Sequence, residues 1–128
     1  MLLMERVFEM VYMSYYGNPL LRGVPSERLV AISRKVPPDF RGSRHYKDLA
    51  PNWSTLERYK RDRDYLAYVK TYCRTRLLRL DAAKVAADLD GKIILCYERP
   101  GADVFCHRLI IQKWLQKHGF QCREILKE

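Results

Sequence analysis

The chain has 128 residues, 48% of them hydrophobic and 30% charged, which predicts one domain with its own core over residues 1–128. No apolar run approaches the roughly 18 residues that cross a bilayer, and charged residues interrupt the first ten positions. We therefore expect a cytoplasmic protein with no membrane partner. The formal net charge of +9 indicates a phosphate-bearing small molecule or a nucleic acid as partner. Because the charges are spread along the chain, a basic protein with solvated lysines and arginines is the alternative.

The four cysteines stand at positions 73, 96, 106 and 122. Their spacing is not that of a small secreted fold held together by disulfides, and nothing else in the sequence suggests secretion. We therefore expect reduced thiols.

The first part of the chain predicts two strands. Residues 6–16 are rich in aromatic and β-favouring residues, and a glycine- and proline-containing turn follows them. Residues 28–33 are continuously apolar in their middle, which is typical of a parallel strand that is buried on both faces.

A long irregular segment, residues 34–53, follows the second strand. Loops of this length are uncommon in compact domains unless they are functional or disordered. Phe40, Tyr46 and Trp53 favour order, because a domain tends to bury such large apolar surfaces. We expect an ordered loop that lies across the domain.

A helix is predicted after this loop, with Ser54 as its N-cap and Glu57 completing a capping box. The helical pattern continues to about residue 80, with a break near residues 62–64. The spacing i, i+3, i+7, i+11 predicts an apolar stripe that packs on a sheet. Its members are Leu66, Val69, Cys73 and Leu77, flanked at the edge of the core by Tyr65, Tyr68 and Tyr72.

The last part of the chain alternates helices and strands. Asp81 is expected to cap a short helix, and residues 92–98 form the most convincing strand of the chain. A further helix runs from about Cys106 to His118, where Gly119 ends it, and residues 120–126 form a closing strand. The expected core contacts of this helix are Leu109, Trp114 and Leu115.

This order of elements predicts an α/β fold. We expect a single three-layer Rossmann-like domain with a small, mainly parallel sheet of about four strands that is flanked by helices.

The segment between the strong strand and the last predicted helix, residues 95–108, is the candidate site. Open α/β sheets usually bind ligands above the carboxyl ends of their strands, where a following helix also directs its N–H groups. Cys106 lies at the predicted helix start, where the helix dipole stabilises a thiolate, and Glu98 lies at the strand end. Arg34 follows the second strand and emerges beside Tyr97 and Glu98 if the two strands are parallel.

Three interpretations of this segment remain open. A metal site through Cys96, Cys106 and His107 lacks the usual C-x-x-C pair, so no metal is expected. A nucleophilic or anion-binding site uses the same residues together with Arg108. The third interpretation is structural: small buried cysteines and a histidine that satisfies a loop carbonyl.

The sequence resembles the bacterial and phage family called domain of unknown function 488. Members of that family have a "CxE" strand end that is followed, after a short loop, by "CHR" and a helix. The matching residues here are Cys96, Tyr97 and Glu98, then Cys106, His107 and Arg108. The stretches "AISRKVPPDF" and "YKDLAPNWSTLERYK" also resemble one branch of the family, so the likeness covers nearly the whole chain.

The resemblance implies a compact Rossmann-like α/β domain whose site combines the CxE and CHR residues with the early arginine. Many members carry an acid before that arginine, whereas this chain has Ile32, Ser33 and Arg34. The family's activity is not settled, so the resemblance implies a pocket without supplying a reaction.

The leading hypothesis is a small enzyme or ligand-binding domain that acts on a phosphorylated or nucleotide-like substrate. Cys106 would be nucleophile or anion anchor, Glu98 the general acid or base, and Arg34 and Arg108 the anion clamps. The other residues assigned to the same ligand are His107, Cys96, Tyr97 and Arg44. The sequence indicates neither a cofactor nor an oligomeric state.

Two hypotheses from other classes stand beside it. A nucleic-acid-binding module would use the net charge of +9 without catalysing a reaction. A protein-interaction module would expose Phe40, Tyr46 and Trp53 as one surface cluster.

Overall fold

A computed structural model describes residues 10–97 and 107–125, and it has the predicted α/β architecture. Five strands form one sheet in which every pair of neighbours is parallel, in the order β3-β2-β4-β1-β5. The strands are β1 (Met10–Tyr15), β2 (Leu29–Ala31), β3 (Arg44–His45), β4 (Ile93–Cys96) and β5 (Gln121–Glu124). The expected number was about four, and the additional strand is the two-residue β3 within the long loop.

Four α-helices are present in the described part of the chain, and none of them is long and apolar enough to span a membrane. They are α1 (Trp53–Asp62), α2 (Tyr65–Thr75), α3 (Ala82–Asp88) and α4 (Arg108–Lys117). Short 3-10 helices occupy Pro19–Leu21, Ser26–Arg28, Lys47–Leu49 and Leu77–Arg79.

The two faces of the sheet are covered differently. Alternate strand residues, among them Met13 and Ile94, pack in one large cluster with side chains of all four helices. The opposite face, with Leu29 and Leu95, packs in a smaller cluster against the turns after β1 and Phe40 of the long loop. In the described ranges the helices therefore lie on one face, where the sequence predicted helices flanking the sheet.

The predicted break between the first two helices is confirmed. Arg63 has a positive φ of 54°, and its backbone N–H donates to the carbonyl of Tyr59 at 2.8 Å, which ends α1. Asp64 then caps α2 by accepting from the N–H of Ala67 at 3.0 Å.

The capping box that was predicted from Ser54 and Glu57 is wrong. The N-cap is Asn52, and no side chain caps this helix. The carbonyl of Asn52 accepts from the N–H groups of Thr55 and Leu56, while its side-chain oxygen accepts from Arg76 at 3.3 Å. Because Asn52 already occupies the cap, α1 begins one residue before Ser54.

The predicted apolar stripe of α2 is confirmed only in part: Leu77 is buried and Val69 and Cys73 pack against the core, but the first member of the stripe does not. Leu66 is 68% exposed, whereas Tyr68 and Tyr72 are buried in the core. The side of α2 that faces the sheet therefore carries the two tyrosines. Burial also raises the pKa of Tyr72 well above its ordinary value, and its hydroxyl donates to the carbonyl of Leu49 at 2.6 Å.

The last helices mostly agree with the predictions. Asp81 caps α3 through the N–H of Ala83, and Gly119, with a φ of 88°, follows α4 as expected. Leu109 is exposed rather than buried, because the buried side of α4 is formed by Ile110 and Ile111 together with Leu115.

Candidate functional site

A cleft of about 530 Å³ lies above the carboxyl ends of β2 and β4. The loop after β2, the end of β4 and the residue before α4 form one side, and α1 and α2 form the other. Ala31 pairs with Leu95, so the two chain segments that leave these strands emerge at the same edge of the sheet. The parallel pairing thus brings the predicted residues Arg34, Cys96, Tyr97 and His107 to one cleft.

Four cationic side chains line the cleft. They are Arg34 and Lys35 from the loop after β2, and Lys60 and Arg63 from the end of α1. None of the described residues that line the cleft is acidic, and none of the four forms an ion pair with a residue in the described ranges. Such a concentration of one charge in a concave site attracts anions.

Aromatic rings alternate with these cations. Trp53 is 49% exposed, and its ring centroid lies 5.5 Å from Cζ of Arg34 and 5.6 Å from Nζ of Lys60. Tyr59 contacts the guanidinium of Arg63 in the same way, at 5.6 Å. Each contact lies within the range of a cation–π interaction, so the rings hold the cations at the cleft.

Hydrogen bonds fix the loop that carries Arg34 and Lys35. The hydroxyl of Ser33 donates to the carbonyl of Lys35 at 2.6 Å and accepts from the hydroxyl of Tyr16 at 2.7 Å. Tyr97 donates to the same carbonyl at 2.9 Å and packs edge-on against Tyr16. Burial raises the pKa of Tyr16, so this hydroxyl remains a donor at neutral pH. The loop is therefore positioned before a ligand arrives.

His107 lines the cleft as an uncharged group. Its Nε2 donates to the carbonyl of Ile32 at 2.9 Å, and its ring packs edge-on against Tyr72. Burial, together with the smaller effect of the neighbouring Arg108, lowers the pKa of His107 to about 4. At neutral pH His107 therefore anchors the end of β2, as the structural interpretation predicted, and brings no positive charge to an anion.

Arg108 is buried behind the cleft, with only 2% of its surface exposed. Its Nε and Nη2 donate to the two carboxylate oxygens of Glu124 at 2.9 and 3.0 Å, and its Nη1 donates to Sγ of Cys96 at 3.3 Å. A guanidinium that is buried and paired in this way does not clamp a ligand. We therefore correct its predicted role: Arg108 joins α4 to β5 and β4.

The cysteines differ from the expectation of reduced thiols. Cys96 is disulfide-bonded, whereas Cys73 and Cys122 are free. Burial raises the pKa of Cys73 and raises that of Cys122 to about 12, so both of these thiols are protonated at neutral pH. The predicted reactive groups, Cys106 and Glu98, lie outside the described residues, and their roles stay predictions.

Arg44 does not reach the cleft. It lies on β3 at the edge of the sheet, with Cζ 4.5 Å from the ring centroid of Tyr46. Arg41 of the same loop donates to the carbonyls of Leu21 and Val24, on the other face of the sheet. Of the long loop, Arg34, Lys35 and Pro51 line the cleft, and α1 and α2 supply the opposite side.

The main residues that the sequence analysis did not assign to the site are on α1. Positions 53, 56, 60 and 63 have the spacing i, i+3, i+7 and i+10, and all four line the cleft. A tryptophan and two cations at this spacing are a detectable signal. The sequence does not show, however, that this side of the helix faces the strand ends.

The fold and the cleft define the class of protein. It is an α/β protein with a parallel sheet and a basic, aromatic cleft at the carboxyl edge of that sheet. Within the described ranges, no group of three or more histidine, cysteine or acidic residues is arranged to hold a metal ion. Comparison with protein-family models, curated proteins and solved structures gives no match.

Proposed function

We propose that the protein binds a nucleotide, or another phosphorylated ligand with an aromatic ring, in the cleft between the strand ends and α1. The observation that supports this most is the combination of four cations with the exposed ring of Trp53 and without a described acidic lining residue. The phosphate would bind Arg34 and Lys60, and the base would stack on Trp53, an interaction worth about 1–3 kcal/mol per base. The cleft volume of about 530 Å³ falls in the usual range for small-ligand sites.

For the chemical step we retain the prediction from the sequence and the resemblance. In this proposal Glu98 is the general acid or base, and Cys106 acts as nucleophile or anion anchor in the form of the protein in which the disulfide of Cys96 is reduced, which makes the protein an enzyme or a ligand-binding domain. Kinship with the domain of unknown function 488 family is likewise proposed from the CxE and CHR motifs.

The protein-interaction hypothesis is less well supported than ligand binding. Tyr46 is buried at 7% exposure and Phe40 packs against the smaller core cluster, which leaves Trp53 as the exposed member of the three. These aromatics therefore do not form one surface patch.

Calorimetric titration with AMP, adenosine and inorganic phosphate tests the proposal. We expect AMP to bind at least about ten times more tightly than either part alone, because it uses both the cations and the ring. Lys60→Ala should weaken AMP binding about tenfold or more, the usual effect of losing a charge-assisted hydrogen bond.

The matched control is Lys113→Ala, which removes an exposed lysine on α4 outside the cleft. This variant should bind AMP as the parent does. No measurable AMP binding, or equal losses in Lys60→Ala and Lys113→Ala, would contradict the proposal.

A further inference from the structure

A second cavity, of about 310 Å³, lies between α1 and α2. Tyr59 and Tyr68 line both this groove and the cleft, so the two spaces adjoin at this pair of rings. The rings pack edge-on with their centroids 5.3 Å apart. A ligand that fills the cleft and passes these rings would therefore enter the groove.

The groove offers cations to such a ligand. Arg58, Arg61 and Arg74 line it, together with the acids Asp62 and Asp64. Both acids are already engaged by the protein itself. Asp62 accepts from the Nε of Arg58 at 3.3 Å and from the N–H of Asp64 at 2.9 Å, and Asp64 caps α2. Arg74 forms no ion pair with any residue in the described ranges.

A buried hydroxyl group lies beside these arginines. Thr55 lines the groove at 5% exposure, and its Oγ1 has no hydrogen-bond partner among the described residues. A buried hydroxyl without a partner is unfavourable, and an oxygen atom of a bound anion would satisfy it. The groove thus combines an arginine that has no ion pair in the described part of the chain with a hydroxyl donor, a pair of groups that suits a phosphate.

We infer that the cleft and the groove form one binding track for single-stranded nucleic acid. One nucleotide occupies the cleft, and the next phosphate of the strand lies in the groove on Arg74 and Thr55. This inference rests on the proposed function and adds the class of ligand. The nucleic acid must be single-stranded. A base that stacks on Trp53 inside the cleft cannot at the same time be paired and stacked within a duplex.

The test compares TMP, the dinucleotide pTpT, a ten-nucleotide dT strand and a DNA hairpin duplex by fluorescence anisotropy or competition. We expect pTpT to bind at least about ten times more tightly than TMP, and the dT strand at least as tightly as pTpT. The duplex should bind more weakly than the dT strand. A dT strand that binds more weakly than pTpT, or no better than the duplex, would overturn the assignment to a single strand.

Arg74→Ala separates the two subsites. It should abolish the advantage of pTpT over TMP and leave the affinity for TMP unchanged. It should also reduce the slope of log K against log salt by about 0.7, the value for one phosphate contact on a single strand. Arg74→Lys should keep most of that slope, because the charge remains. Arg79→Ala, which removes an exposed arginine outside both cavities, is the matched control.

Equal binding of pTpT by Arg74→Ala and Arg79→Ala would overturn the second subsite. If TMP still binds and Lys60→Ala still weakens it, the proposed function stands without this extension. If TMP does not bind at all, the proposed function itself fails.

Discussion

His107 and Arg108 show how neighbouring residues with similar chemistry take different structural roles. Both belong to the CHR motif and both were assigned to an anion. In the fold, His107 is neutral and anchors the end of β2, while Arg108 is paired with Glu124 inside the protein. The cations that line the cleft are instead exposed side chains on the loop after β2 and on α1. Exposure and the absence of an ion pair with any described residue distinguish these cations from Arg108, which supports the fold.

The buried histidine makes stability depend on pH. The pKa of His107 is about 4 in the folded chain against an ordinary value of 6.5, so between these values the unfolded chain binds more protons. The free energy of unfolding is therefore fully retained above about pH 6.5 and falls by about 3 kcal/mol as the pH decreases to 4. Urea denaturation at a series of pH values measures this loss.

His107→Gln provides the comparison, because the glutamine amide can still donate to the carbonyl of Ile32 but does not titrate. Its unfolding free energy should change less between pH 6.5 and 4 than that of the parent. His118→Gln, at the exposed residue that follows α4, should behave as the parent does. The same pH slope in parent and His107→Gln would refute the role given to His107.

At the scale of elements, the junction of α1 and α2 determines the shape of the site. Arg63 ends α1 in the left-handed region, where a residue other than glycine costs roughly 1–2 kcal/mol. The same residue lines the cleft and packs on Tyr59. Backbone strain and a cationic side chain thus coincide at one position beside the proposed ligand.

Arg63→Gly should separate stability from binding. We expect the free energy of unfolding to rise by about 0.5–1 kcal/mol, because glycine adopts the positive φ without strain, although it also gives the unfolded chain more freedom. The affinity for AMP should fall, since a cation is lost from the cleft. Thermal denaturation and calorimetric titration of the same variant measure the two effects.

Lys70→Gly, in the exposed middle of α2, is the control for the backbone effect and should destabilise by about 1 kcal/mol. A loss of stability in Arg63→Gly as large as that in Lys70→Gly would contradict the assignment of strain to Arg63.

The sequence predicted those elements whose signals are local. The caps at Asp81 and Gly119 and the break near residues 62–64 depend on neighbouring residues, and each is found. Which side of α2 is most deeply buried depends on how the helix packs on the sheet, which periodicity alone does not show. For that reason Tyr68 and Tyr72 were placed at the edge of the core rather than inside it.

The candidate site was likewise predictable only where its residues follow from local signals and from the order of the elements. That Arg34 and Tyr97 meet at one edge follows from parallel strands, a property that the order of elements implies. The contribution of Trp53, Lys60 and Arg63 depends instead on where α1 packs relative to the sheet, and no local pattern determines this. The pairing of Arg108 with Glu124 also joins distant parts of the chain, so the sequence predicted a ligand where the fold supplies a carboxylate.

At the scale of the whole molecule, the structure shows where part of the net charge of +9 is concentrated. The charges are spread along the sequence, but the fold gathers Arg34, Lys35, Lys60 and Arg63 around one cleft and three further arginines around the adjoining groove. A basic protein whose charges were merely solvated would not require this arrangement beside accessible aromatic rings. The central claim is therefore that a nucleotide binds in the cleft and stacks on Trp53.

The most direct test of this claim uses the two tryptophans of the chain, Trp53 in the cleft and Trp114 on α4. In the ¹H–¹⁵N NMR spectrum each gives its own indole N–H signal, so Trp114 is an internal control. Titration with AMP should shift the Trp53 indole signal and the backbone amides of residues 33–35, and leave the Trp114 indole signal in place. An unchanged Trp53 signal at saturating AMP, or equal shifts of both indoles, would contradict binding in the cleft.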